Sequence, residues 1–171
     1  MKSGVAVHGS PIEGLGIFAI RPLRAGEVIA PVPVAREVTA EAPIREDAGE
    51  RRDHCSYPDG KVLLIGYPVR HVNHSCDPNA WERFAEGTSS ALVARRAIAA
   101  GEEITIDYAI NTSGGDRWPC RCGARRCRGT VEGEFFNLSA ALQREYRPFL
   151  AAWFVRRHAE RIALAGVDRE Q

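Results

Sequence analysis

Asn73-His74-Ser75-Cys76-Asp77-Pro78-Asn79 is the stretch on which the fold turns. It sets a polar pair, a thiol and a turn side by side. Proline fixes its own φ and pushes the residue before it out of the helical region, so Asp77-Pro78-Asn79 reads as a turn. Asn73, His74 and Cys76 are therefore expected on an irregular, shaped backbone. Alone, the segment reads equally well as a surface loop.

The cysteines tip that balance. Five thiols in a chain without a recognisable secretion signal point to metal binding or catalysis rather than to disulfides. Cys120-Arg121-Cys122-Gly123-Ala124-Arg125-Arg126-Cys127 supplies three of them at close spacing. A closed structural Zn2+ site takes four soft ligands in a tetrahedron, so one ligand is missing from this run. Cys55, Cys76, His54, His71 and His74 are the candidates. Cys76 is preferred because its turn can present the sulfur; metal binding would then tie the C-terminal segment to the heptapeptide and become part of folding it. Cys55 reads as a small loop residue.

Toward the N-terminus the chain reads as short strands. Val5 and Val7, then Ile17, Phe18 and Ile20, then Val28, Ile29, Val32 and Val34 are β-branched or aromatic groups separated by Gly and Pro. Gly14-Leu15-Gly16 places two glycines just before a strand, which suits a hairpin turn and also lets backbone amides approach a ligand closely. Residues 36 to 60 show the least pattern and are expected to form a variable, partly exposed loop around His54, Cys55, Tyr57 and a Pro58-Asp59-Gly60 turn. Val62-Leu63-Leu64-Ile65 is a buried strand.

Beyond the heptapeptide, Trp81 and Phe84 mark one strand, Ala91 to Ala94 another, and Ala99 to Glu102 a turn. Alternation along Ile104-Thr105-Ile106-Asp107-Tyr108 puts Ile104, Ile106 and Tyr108 on one buried face, where a tyrosine is ordinarily a core residue. From Ser139 the pattern turns helical. Ser139 can cap, Pro148 suits the first turn of a further segment, and Leu150, Trp153 and Phe154 form an apolar stripe.

The chain has 171 residues and a net charge of +1, enough for one domain with a core and a small appendage and a poor match to a general nucleic-acid binder. Charge is uneven: residues 37 to 59 carry seven acidic and three basic side chains, and residues 117 to 171 carry eleven Arg against six acidic. Two solvated faces explain this, as does attraction of a basic partner to the acidic stretch. Lys2 and Lys61 are the lysines in a chain with 23 Lys and Arg, a bias typical of GC-rich bacterial genomes. No apolar run is long enough to cross a bilayer, and Met1-Lys2-Ser3-Gly4 leads straight into a strand pattern, so a cytoplasmic protein without a membrane partner is expected.

The heptapeptide resembles the first signature of SET-domain protein lysine methyltransferases. Gly101-Glu102-Glu103-Ile104-Thr105-Ile106-Asp107-Tyr108 resembles the second, Gly14-Leu15-Gly16 the N-terminal glycine turn, and Cys120, Cys122 and Cys127 the post-SET zinc motif. All four occur in the family's order between residues 12 and 129. The resemblance implies a mainly β fold of small sheets with a pseudoknot, dividing the chain into a SET domain (1–116), a post-SET zinc segment (117–132) and a C-terminal helical extension (133–171). It also implies S-adenosylmethionine bound by Gly14, Leu15, Gly16, Arg70, Asn73, His74, Tyr108 and Arg121. One structural Zn2+ would sit on Cys76, Cys120, Cys122 and Cys127, and Tyr108 would be the catalytic tyrosine. The implied partner is a lysine-containing protein, a basic histone-like tail being the natural choice for the acidic stretch. A channel tyrosine common in relatives is absent from Ala30-Pro31-Val32-Pro33-Val34, leaving Tyr57 or Tyr67 as replacements, and His71 stands where relatives often carry Phe. The competing reading is a binding module without turnover, in which Arg121, Arg125, Arg126 and Arg128 hold nucleic acid or protein.

Overall fold

Glycine and proline interrupt the first 135 residues so often that the strands stay short. The computed structural model describes residues 4–85 and 89–167, with side chains through Leu164. The calls on Met1-Lys2-Ser3 and on the tail beyond Val167 lie outside the described residues. In chain order the strands are β1 (Val5–Gly9), β2 (Leu15–Ala19), β3 (Val28–Pro31), β4 (Val34–Glu37), β5 (Cys55–Ser56), β6 (Leu63–Ile65), β7 (Asn73–His74), β8 (Ala80–Phe84), β9 (Ser90–Ala94), β10 (Glu103–Ile106), β11 (Arg117–Pro119) and β12 (Thr130–Glu132). Three helices follow: α1 (Ala140–Tyr146), α2 (Ala152–Arg157) and α3 (Ala159–Val167). None is long and apolar enough to cross a membrane.

The strands form four small sheets, ordered β1-β2-β10-β7, β3-β9-β8, β4-β6-β5 and β11-β12. In the first, β10 arrives late in the chain and inserts between β2 and β7, antiparallel to one and parallel to the other. That insertion delivers the second signature beside the first. The main core lies between the sheets, with Ile17 and Ile104 fully buried beside Leu23, Leu92 and Ile98. Each buried aliphatic side chain of this size contributes about 1.5–3 kcal/mol through removal from water.

A second core belongs to the C-terminal segment and joins Phe135, Leu138, Tyr146, Ala151 and Phe154 to Ala109. Ser139 caps α1 as expected, its Oγ accepting from the Leu142 N–H at 3.3 Å. Pro148 falls in a 3-10 turn over Arg147–Phe149 that separates α1 from α2, so the extension is a chain of short helices.

Two expectations change. β10 stops at Ile106, and Tyr108 sits in the turn beyond it rather than at the end of a buried row. Thr105 and Asp107, expected on the outer face, are more buried than Ile106, because the later chain covers that side. Residues 36 to 60 are also more ordered than their pattern implies. Arg36 and Arg45 both pair with Glu50, whose side chain is 10% exposed, and β5 adds to β6.

Candidate active site

The heptapeptide is pinned along β10. Asn73 and His74 pair in parallel with Thr105 and Ile106, and the Ser75 N–H donates to the Ile106 carbonyl at 2.9 Å. Asn79, read from sequence only as a turn residue, is 2% exposed and acts as a brace. Its Oδ1 accepts the Thr105 N–H at 2.9 Å, while its Nδ2 donates to the Glu103 carbonyl at 2.7 Å and to Glu102 Oε1 at 2.9 Å.

Asn73 ties this strip to the glycine turn. Its Nδ2 donates to the carbonyls of Glu13 (3.2 Å) and Leu15 (3.0 Å) and to Glu103 Oε1 (2.8 Å). Ser10 Oγ donates to the same carboxylate oxygen at 2.8 Å. A Cβ on Gly16 would lie 2.3 Å from Glu103 Oε1, so a side chain there would have to displace this carboxylate. Gly14 adopts φ +48°, and a Cβ there would meet open space. Arg121 reaches across from the cysteine segment to Glu13, Nη1 to Oε2 at 3.1 Å. Gly14, Leu15, Gly16, Asn73 and Arg121 thus gather around Glu13–Leu15. Arg70 points elsewhere: its Nε donates to His71 Nε2 at 3.2 Å and its guanidinium lies 5.9 Å from the Tyr67 ring centroid. Ser10, Glu13 and Glu103 were not singled out from sequence, because nothing local marks carboxylates and carbonyls drawn together across 90 residues.

Tyr108 faces the other side of the same strip. Its hydroxyl donates to the Val72 carbonyl at 2.7 Å and its N–H donates to His74 Nδ1 at 3.2 Å. Its ring lies 5.3 Å from His74 and 6.4 Å from Trp118. Burial pushes the phenol well above its ordinary pKa, so it stays protonated at neutral pH. Burial likewise lowers His74 to about 4, against the opposing pull of Asp107. Since Nδ1 of this neutral ring accepts from Tyr108, its proton sits on Nε2, 3.4 Å from Cys76 Sγ. The His74 side chain therefore serves the cysteine cluster rather than the glycine turn.

The ligand atoms of Cys76, Cys120, Cys122 and Cys127 all lie within 4.8 Å of one another. Cys76 and Cys120 Sγ are 3.7 Å apart, matching the edge of about 3.8 Å that a tetrahedron with Zn–S of about 2.3 Å requires. Backbone N–H groups of Arg128, Cys76 and Gly129 donate to the sulfurs of Cys76, Cys122 and Cys127. Burial pushes the Cys76 thiol up to about 11, so a thiolate there at neutral pH calls for a cation. The set fits a zinc ion. Cys55 lies apart in β5, its Sγ 3.7 Å from the Arg51 carbonyl.

Of the four cations invoked for a nucleic-acid module, Arg121 is paired with Glu13, Arg126 with Asp77 and Glu145, and Arg128 with Asp107. The two candidate channel tyrosines, Tyr57 and Tyr67, are 54% and 62% exposed. Trp118, which the sequence reading passed over, brings its indole to Tyr108 instead. His71 stands between two rings, 5.3 Å from His54 and 6.1 Å from Tyr67.

The model of the SET domain matches residues 14–109. The chain is 34% identical over 140 residues to Histone-lysine N-methyltransferase 2B of Homo sapiens, an alignment covering 74% of this chain and 5% of that protein. It is 33% identical over 149 residues to Histone-lysine N-methyltransferase ATX2 of Arabidopsis thaliana (76% and 13%). It is 31% identical over 137 residues to Histone-lysine N-methyltransferase ash1 of Drosophila melanogaster (71% and 6%). The chain therefore spans a small part of these relatives. The fold is similar to a crystal structure of a Plasmodium falciparum protein assigned as a candidate histone methyltransferase, with a TM-score of 0.51, 22% identity, and coverage of 62% of this chain and 93% of that one. The matched residues contain the glycine turn, both signatures and Tyr108, and on this ground the chain belongs to the SET-domain family.

Proposed function

We propose that this chain is an S-adenosylmethionine-dependent protein lysine N-methyltransferase that carries one structural zinc ion. The observation that carries the proposal is Tyr108. It is a half-buried phenol fixed by three neighbours, on the opposite side of the Asn73–His74 strip from the glycine turn. The carbonyls of Glu13 and Leu15, the Glu103 carboxylate, the Asn73 amide and the Arg121 guanidinium form a donor and acceptor set suited to the zwitterionic end of S-adenosylmethionine. Gly14 leaves room for the ligand beside the backbone.

S-adenosylmethionine supplies an electrophilic methyl group on a sulfonium, and a lysine amine displaces it in line. The amine needs its lone pair, and its ordinary pKa of about 10.4 means that the proton must leave before attack. Tyr108 is no base for that proton, since burial keeps its phenol neutral. Its hydroxyl, whose proton goes to the Val72 carbonyl, presents an oxygen lone pair that accepts from the amine and aligns it, while the rings of His74 and Trp118 flank it. Zinc on the four cysteines would hold Arg121 and Trp118 in place, since both lie on or beside the cysteine segment.

The relatives' names support a histone-like basic tail as the substrate class. Glu41, Glu46 and Asp47 support it, being exposed and without an ion pair among the described residues, whereas Glu37, Glu50 and Asp53 are already paired with basic side chains. Tyr108→Phe tests the assignment. Turnover should fall about 100-fold, the scale for losing one aimed polar group, with S-adenosylmethionine affinity held. Undiminished methyl transfer would overturn it.

A further inference from the structure

The C-terminal segment grips the turn that carries Tyr108, and we propose that it is a positioning element for this residue, with Tyr146 and Asn111 as the positioning residues. The inference rests on the reading of Tyr108 given above.

Three alternate residues around Tyr108 are held from one side. Asp107 has a fully buried side chain, accepts from Arg128 Nη1 (2.7 Å) and Nη2 (2.9 Å), and accepts from the Tyr146 hydroxyl at 3.1 Å. Ala109 is fully buried in the apolar cluster of Phe135, Leu138, Tyr146 and Phe154. Asn111 adopts φ +63°; its Oδ1 accepts the Ala151 N–H at 2.7 Å and its Nδ2 donates to the Phe149 carbonyl at 3.4 Å. Tyr108 projects the other way, toward Val72, His74 and Trp118. Pinning residues 107, 109 and 111 from the C-terminal side leaves the backbone at 108 little freedom, and the phenol inherits that fixity.

Helix α1 is anchored in turn. Tyr146 is fully buried. Glu145 pairs with Arg95 and Arg126, and Arg126 also pairs with Asp77 of the heptapeptide at 3.0 Å. One helical turn therefore registers the phenol against the cysteine loop and the first signature together. Displacements of about 1 Å in a reacting group can cost about 100-fold in rate, which makes such registration consequential.

The test uses two mild variants of the full chain, loaded with zinc. Tyr146→Phe keeps the ring and deletes the hydroxyl; Asn111→Gly keeps the left-handed backbone and deletes both side-chain bonds. Amide hydrogen exchange over residues 107–111 and steady-state kinetics are measured for each. Exchange there should speed up at least about tenfold, the change expected from losing one charge-assisted or buried bond. The kcat should fall about 5- to 50-fold while the KM for S-adenosylmethionine stays within about twofold. Glu160→Gln, exposed on α3, should change neither. Unchanged exchange in Tyr146→Phe, or faster exchange with an unchanged kcat, overturns the proposal. If the wild-type chain transfers no methyl group, the reading of Tyr108 falls by itself, and exchange at residues 107–111 alone decides whether the segment holds the turn.

Discussion

Asp107→Asn should remove about 3–5 kcal/mol of folding stability, a large share of what a domain of this size possesses. The carboxylate is inaccessible to water and accepts four hydrogen bonds: two from Arg128, one from the Tyr146 hydroxyl and one from the Ala109 N–H. Asparagine offers a single oxygen in the same volume and turns an NH2 toward the remaining donors. At least two donors then lose an acceptor, each costing about 1–3 kcal/mol, and the guanidinium lies at the upper end because its bonds are charge-assisted. Arg128 is 21% exposed and cannot rehydrate without moving the chain beside Cys127. Urea unfolding at fixed free zinc, followed by the fluorescence of Trp81, Trp118 and Trp153, measures the loss. Adding Arg128→Met should recover part of it, giving a coupling of at least about 1 kcal/mol. A loss below about 1 kcal/mol in the single variant would refute the buried-hub account.

Two further outcomes follow from the same geometry. Cys76→Ser should lower zinc occupancy and S-adenosylmethionine affinity together, because Cys76 joins the heptapeptide to the segment that carries Arg121; metal analysis and calorimetry on one preparation check this, and independent responses would remove Cys76 as the link. In the pH profile of kcat/KM, the rate should rise about tenfold per unit from pH 7 to 9 as the lysine amine loses its proton. No descending limb should come from Tyr108 below about pH 10, since the shift of its phenol is upward; a falling limb below that pH, abolished by Tyr108→Phe, would contradict its protonated role.

Much of the fold could be read from local chemistry. β-branched runs between Gly and Pro gave the strands, Ser139 gave a helix start, and cysteine spacing with the Asp77-Pro78 turn gave the four-cysteine cluster. The failures share a cause. Alternation along Ile104 to Tyr108 assumes one face toward water, but Phe135, Tyr146 and Phe154 arrive from far along the chain and bury Asp107 and Ala109 on the face expected to be open. Glu103 was hidden for a related reason: nothing in the local sequence marks it until Ser10 and Asn73 converge on it from two other elements. Within the acidic stretch, composition cannot tell that Arg36 and Arg45 are committed to Glu50 while Glu41, Glu46 and Asp47 stay exposed. Arg70, expected at the cofactor from the resemblance, lies against His71 and Tyr67 in this structure.

The central claim is methyl transfer to lysine. It is tested most directly by incubating the zinc-loaded chain with methyl-labelled S-adenosylmethionine and a panel of basic proteins, then locating the label by mass spectrometry. The account predicts label on the side-chain amine of lysine. Protein that binds S-adenosylmethionine yet leaves every lysine unlabelled, or that labels a different side chain, would contradict it.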